Sequence, residues 1–353
     1  MKRTAFLWAW SLAIGLAAIF ATDARADSVP DGEFELGHYG QKRAFSKRPD
    51  GHAPISLMGE HRHDEGEIML SYRYMHMKME GNRDGTNDVS TQQVLSDFPV
   101  APLRMTMDMH MFGLMYGVTD AVTAMVMLPY VEKSMDHVTR MGAAFTTKSK
   151  GIGDARLSAL VRLYEEGHHR VHLNAGLSLP TGSIKEKDDT PAMANAILPY
   201  PMQIGSGTYD LLPGLTYVGY SEAYSWGAQL TGTIHLGKNS HDYRLGDRVQ
   251  FSTWGQRPVT NWLSASLGLN FHAWGDINGA DPALNPMMVQ TTDPTRQSGN
   301  RIDIAFGLNT LLPEGMFKGN RLALEFALPV HQDLDGPQLE TDWILTFGWQ
   351  FAF

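Results

Sequence analysis

Residues 342–353, Asp-Trp-Ile-Leu-Thr-Phe-Gly-Trp-Gln-Phe-Ala-Phe, decide the fold. Trp343, Leu345, Phe347, Trp349, Phe351 and Phe353 share one face of a period-two repeat, opposite Asp342, Ile344, Thr346, Gly348, Gln350 and Ala352. Side chains alternate across a strand, so this segment is extended, with one wholly apolar, mostly aromatic surface. A strand at the edge of a soluble sandwich would rarely present such a face. Similar faces recur upstream: Leu322 to Val330, Ile302 to Leu308, Leu263 to Phe271, Tyr224 to Ile234 and Val171 to Leu179, each alternating with small or polar residues.

A chain that crosses lipid on strands must close into a barrel, because every backbone polar group needs an internal partner. The expected fold is therefore an all-β transmembrane antiparallel barrel. Its strands are expected near 66–79, 103–117, 121–133, 153–165, 169–180, 207–219, 223–236, 242–255, 259–274, 299–312, 320–331 and 341–353, twelve in all. Connections alternate long (80–102, 134–152, 181–206) and short (118–120, 166–168, 220–222), as outer loops and periplasmic turns do. The terminal aromatic face is similar to the C-terminal signal of outer-membrane barrels, so Trp349, Phe351 and Phe353 are expected to engage the barrel assembly machinery.

The N-terminus reads as a secretory signal. Lys2 and Arg3 precede an apolar run from Ala5 to Ala21, and Ala24-Arg25-Ala26 supplies a small-x-small cleavage pattern. The domains expected are a signal peptide at 1–26, an irregular periplasmic tail or partial plug at 27–65, and the barrel at 66–353. Cysteine is absent, which suits an exported chain, and a net charge of -9 without a basic tract speaks against nucleic acid. The partners expected are outer-membrane lipid, the assembly machinery and a small-molecule solute; the sequence leaves the oligomeric state open.

Several stretches resemble the family of outer-membrane proteins named for the meta-pathway of phenol degradation. They are Gly66-Glu67, Ser71-Tyr72-Arg73-Tyr74-Met75, Gly81 to Thr86, Gly151-Ile152-Gly153-Asp154, Leu179-Pro180-Thr181-Gly182-Ser183 and Gly205 to Asp210. The resemblance covers roughly 60–353 and implies a transporter or channel-type barrel for small hydrophobic compounds. It implies no catalytic residues.

Twenty methionines stand in this chain of 353 residues, and they cluster. With Ser71 and Arg73 placed in the lumen, Met69, Met75, Met77 and Met79 join them; Met125 and Met127 follow on the third strand. On the second strand Met105, Met107, Met109, Met111 and Met115 oppose Asp108, His110, Phe112, Leu114 and Tyr116. Lipid suits Phe112, Leu114 and Tyr116, which favours luminal methionines; the opposite phase stays open. Three readings follow. A thioether lining suits varied hydrophobic solutes. Thioethers also ligate Cu(I) or Ag(I), and His52, Met58, His61 and His63 of the tail could hand metal on. The third reading is methionine as filler in a structural or adhesive barrel without transport.

Arg73, Arg156, Arg162, Arg170, Arg301 and Arg321 are expected to face inward against Asp303, Glu325 and Asp342, either focusing anions or bracing the wall. Asp84, Asn87 and Asp88 around Gly85 lack the twelfth-position acid of a calcium loop and read as a polar turn. No nucleophile elbow, H-E-x-x-H or phosphate loop is present. Asp108 with His110, or Asp136 with His137, are the residual hydrolase-like pairs, and no enzymatic activity or fixed cofactor is expected.

Overall fold

The computed structural model describes residues 48–353; the expected signal segment and its cleavage point lie outside them. The elements run β1 (Ile68–Gly85), β2 (Asn87–Val89), helix α1 (Thr91–Asp97), β3 (Val100–Thr119), β4 (Val122–Thr139), β5 (Ala144–Ile152), β6 (Ala155–Glu166) and β7 (His169–Leu179). Two short strands, β8 (Lys187–Asp188) and β9 (Ala196–Ile197), precede β10 (Tyr209–Tyr220) and β11 (Ser225–Leu236). Then come β12 (Tyr243–Arg244), β13 (Arg248–Pro258), β14 (Leu263–Trp274), β15 (Asn278–Gly279), β16 (Gly299–Leu311) and β17 (Arg321–Ala352).

Eleven of these strands form one closed antiparallel ring, in the order β1, β3, β4, β6, β7, β10, β11, β13, β14, β16, β17 and back to β1. Two more lie outside the ring, β2 on β1 and β5 on β4. Each ring strand pairs with its sequence neighbour, as hairpins dictate, and the seam joins Met69 to Ala352. There the Phe353 amide donates to the Ile68 carbonyl and the Ile68 amide to the Phe353 carbonyl, both at 2.9 Å. β17 is 32 residues long: Arg321–Leu334 run along β16, and residues 338–352 run along β1. No helix among the described residues is long and apolar enough to cross a membrane.

Burial fixes the two faces. Leu70, Phe112, Leu114, Val126, Leu157, Leu215, Leu267, Leu269, Phe306, Leu308, Leu324 and Phe347 are large, apolar and exposed on the outside. Polar and small residues that alternate with them, such as Ser71, Thr216, Asn270 and Glu325, are buried. An exposed apolar belt of this extent belongs against lipid rather than water.

The structure changes several boundaries. Residues 134–152, expected as a loop, continue as a ribbon in which β5 pairs with the far half of β4 while β6 pairs with the near half. The strand expected at 242–255 begins only at Arg248, because Gly246 lies against the Gly275 carbonyl, and Tyr243–Arg244 pair instead with Asn278–Gly279. Residues 332–340, expected as a connection, carry strand pairing on both sides of a change of partner, 332–334 with β16 and 338–339 with β1.

Asp342 is not luminal. The β1–β17 register shifts between Lys78 and Met79, which turns Asp342 outward to an ion pair with Lys78 at 2.9 Å. A bulge inserts one residue and reverses the facing of its neighbours.

Candidate functional site

The pairing registers put the methionines in rungs. Met69 stands opposite Met115, which stands opposite Met125; Met79, Met105 and Met135 repeat the arrangement farther along. Between them Met75 faces Met109 and Met77 faces Met107. Phase on β3 is settled by exposure: Met111 is 4% exposed and Phe112 56%. Met69, Met111, Met115, Met125, Met127 and Leu160 pack together at the short-turn end, with Met58 and Met109 against them. Met105 and Met135 pack with Leu198 and Met202 at the long-loop end, with Met79 beside them. Met75, Met77, Met107 and Met109 remain half-buried between the two clusters. Cβ atoms directly opposite across a strand pair are only about 5 Å apart, so each rung brings thioethers close to one another.

A second group of luminal residues is not apparent in the sequence. Residues 48–67 lie inside the ring at its short-turn end, in irregular conformation. Buried irregular backbone needs partners. The wall supplies them as side-chain donors: Arg321 to the Arg48 carbonyl (2.9 Å), Ser225 to Asp50 (2.9 Å), Gln256 to His52 (2.8 Å), Asn309 to His52 (3.1 Å), Arg73 to Ile55 (2.9 Å), Gln229 to Met58 (3.0 Å) and Asn174 to Gly59 (2.8 Å). In the other direction the Ser56 amide donates to Glu325 and the His63 amide to Thr123. Seven different wall strands therefore hold this one segment. The signal in the sequence is the set of uncharged amides on the inward face of alternating strands.

The luminal charges divide. Arg73 and Arg321 serve the segment, while Arg301 pairs with Asp303 at 2.9 Å and donates to Thr341 at 2.7 Å. The Arg156 Nε is buried and has no hydrogen-bond partner among the described residues. Arg162 and Arg170 sit at the short-turn mouth around Glu165, which also binds Arg62 of the segment. Arg162 is exposed there and stands opposite His172, which is buried against the segment.

Asp108 and His110 face outward, where Asp108 bonds His76 at 2.8 Å and His110 meets the Tyr72 hydroxyl at 2.8 Å. His137 is buried against Phe145, while Asp136 binds the exposed Arg104 on the opposite face. Neither pair converges on a common point with a nucleophile.

In the segment, His61 lies between Glu60 (Nδ1 to Oε1, 2.7 Å) and His63 (Nε2 to Nε2, 3.2 Å). Burial, then the Arg321 guanidinium, holds the His52 imidazole well below its usual range, and burial lowers His63. Burial pushes the Glu60 carboxyl up, but His61, Arg73 and a backbone hydrogen bond together outweigh it and the net direction is down.

Three of the stretches that carry the family resemblance, residues 151–154, 179–183 and 205–210, meet at the long-loop end. Asp154 accepts the Gly182 amide at 2.8 Å and the Ser206 amide at 2.7 Å, and Thr208 donates to Asp210 at 2.6 Å. Gly182 and Gly205 touch so closely that a Cβ on Gly205 would stand 2.4 Å from the Gly182 carbonyl oxygen. This is a backbone staple between loops, made of short side chains and two glycines.

An outer-membrane channel from Pseudomonas putida F1 superposes on this chain with a TM-score of 0.57 at 15% identity, over 85% of this chain and 100% of that one. The two chains share an outer-membrane β-barrel fold. The P. putida toluene transporter TodX aligns with a TM-score of 0.39 at 9% identity over 82% of this chain and 91% of that one. A Pseudomonas aeruginosa FadL homologue gives 0.38 at 12% over 81% and 89%. No family model matches the chain, and no curated protein does.

Proposed function

We propose that the chain is an outer-membrane channel that passes small hydrophobic or aromatic solutes without energy coupling, exported through a cleaved signal peptide. The half-buried Met75, Met77, Met107 and Met109, set in register between two packed methionine clusters, carry this reading. Thioethers are flexible and polarizable, so such a lining accepts varied apolar shapes without fixed hydrogen bonds. The family resemblance carried by the loop staple points the same way. Twelve membrane passes are part of this proposal, supported by β17 running antiparallel to both β16 and β1. The segment 48–67 acts as a plug at the periplasmic mouth.

Soft-metal passage is the second reading, favoured by the same sulfur rungs. One experiment separates the two. Met75, Met77, Met107 and Met109 are replaced together, once by leucine and once by glutamine, and assembly is checked by heat-modifiable gel mobility. If hydrophobic solutes pass, the leucine variant keeps uptake of a monoaromatic hydrocarbon and the glutamine variant loses it. If Cu(I) or Ag(I) passes, leucine abolishes metal binding, because size and apolarity remain while sulfur is gone. Unchanged uptake and binding in both variants would leave the methionines as filler and sink the proposal.

A further inference from the structure

The histidine cluster of the lumen segment has a hydrogen-bond count that does not close. Glu67 Oε2 meets His63 Nδ1 at 2.9 Å, His63 Nε2 meets His61 Nε2 at 3.2 Å, and His61 Nδ1 meets Glu60 Oε1 at 2.7 Å. Two neutral imidazoles bring two N–H donors to these three contacts. With His63 donating to Glu67 and His61 donating to His63, the His61 Nδ1 lone pair faces an ionised carboxylate. Wherever the two protons sit, one contact sets acceptor against acceptor. Either a third proton or a bound cation closes the count.

Two further observations say what it is. Glu60 is buried, and its Oε2 has no hydrogen-bond partner among the described residues. A buried acceptor left unmatched is costly, and a bound ion would satisfy it. His52 packs on His61 with ring centroids 3.9 Å apart, and its Nδ1 meets the Gln350 side-chain oxygen at 2.9 Å. That contact fixes the proton on Nδ1, the nitrogen that stands 3.9 Å from Glu60 Oε1, and leaves Nε2 as a lone pair. An imidazole held through its other nitrogen is the arrangement a metal ligand requires.

We propose that His52, Glu60 and His61 bind a divalent transition-metal ion of the Zn2+ type inside the barrel, with Gln350 and the His63–Glu67 pair orienting the two imidazoles. Ligand atoms of the three residues lie within 4.8 Å of one another. Zinc–nitrogen and zinc–oxygen bonds of about 2.0–2.2 Å need donors closer than this, so the His52 ring turns about its Gln350 contact to bring Nε2 to the ion. Imidazole and carboxylate select a borderline ion such as Zn2+, Cu2+ or Ni2+, not the Cu(I) or Ag(I) that thioethers prefer. Arg73 and Arg321 are charged neighbours of Glu60, so the site is weaker than a closed four-ligand zinc site. All three ligands belong to the segment, so the ion clips residues 52–61 into a loop around the Ile55 carbonyl that Arg73 holds.

The site is independent of the solute reading and is tested without any uptake measurement. The full barrel, purified in detergent and stripped with a chelator, is dialysed against ZnCl2 and separately against CoCl2. Wild type should retain one ion per chain and show the visible absorption of Co2+ bound to nitrogen and oxygen. His52→Gln and Glu60→Gln should each weaken retention by more than tenfold. Gln350→Leu should weaken it by about tenfold, the usual cost of losing a residue that orients a ligand. The outward-facing pair His76→Gln and His110→Gln should change nothing, and neither should the methionine-to-leucine variant. Retention that is absent in wild type, or unaltered in both ligand variants, overturns the proposal. Should the variants misassemble, hydrogen exchange of residues 52–63 in wild type decides alone: Zn2+ should slow it, and unchanged exchange overturns the proposal.

Discussion

Replacing Arg73 by methionine should loosen the lumen segment while leaving the barrel wall intact. The Arg73 Nε donates to the Ile55 carbonyl at 2.9 Å, near the middle of the segment, and both groups are buried. Methionine keeps much of the volume and matches the adjoining rungs, but it donates nothing. A hydrogen bond from a charged donor contributes about 1.5–3 kcal/mol. At about 1.4 kcal/mol per factor of ten, the displaced population should rise roughly 10- to 150-fold. The backbone ladder of β1 with β3 and β17 does not involve this side chain, so heat-modifiable mobility should be preserved. Single-channel recording in planar bilayers should show a matching rise in open time, and amides of residues 50–62 should exchange faster. Arg257→Met, at an exposed position on β13, is the control. An Arg73→Met barrel that assembles normally yet matches wild type in both open time and exchange would refute the view that this bond holds the segment in the lumen.

Other outcomes follow from single contacts. Gly205→Ala should lower yield and thermal stability sharply, since its Cβ would fall 2.4 Å from the Gly182 oxygen; Gly255→Ala, with nothing within 4 Å, should be tolerated. Deleting Phe353 removes both backbone hydrogen bonds to Ile68 at the seam and should reduce the heat-modifiable species on gels. Protease outside intact cells should cut within 181–206 or 275–298 and spare the turns at 119–122 and 166–169; cleavage of those turns would reverse the assigned direction.

The strands are legible because lipid outside and polar groups inside impose period two over each crossing, and few other environments do. That logic places Met69, Met111 and Met127 inward and Phe112 outward. It fails where backbone geometry departs from the repeat. Asp342 faces outward because a register shift intervenes, and that irregularity leaves no mark in composition. The 134–152 ribbon is not legible because, beyond the apolar belt, strand pairing continues without the lipid that creates the pattern. The lumen segment is hidden for a different reason. Its polar, glycine- and proline-bearing sequence reads as a solvated tail, and only the polar side chains waiting on seven wall strands reveal that it is buried.

That segment also bears on how the ring chooses its own geometry. Strand number alone does not determine how far each strand slides past the next, and closed sheets of one size can close at different staggers. Along residues 48–63 the carbonyls come in fixed order and spacing, and Arg321, Ser225, Gln256, Asn309, Arg73, Gln229 and Asn174 must each stand opposite the proper one. Sliding any hairpin by two residues keeps its faces correct but carries its donor about 7 Å from the carbonyl. The segment is thus a ruler laid across the bore: lipid can select which face points outward, but only an internal gauge of this kind can reject a barrel that has closed in the wrong register.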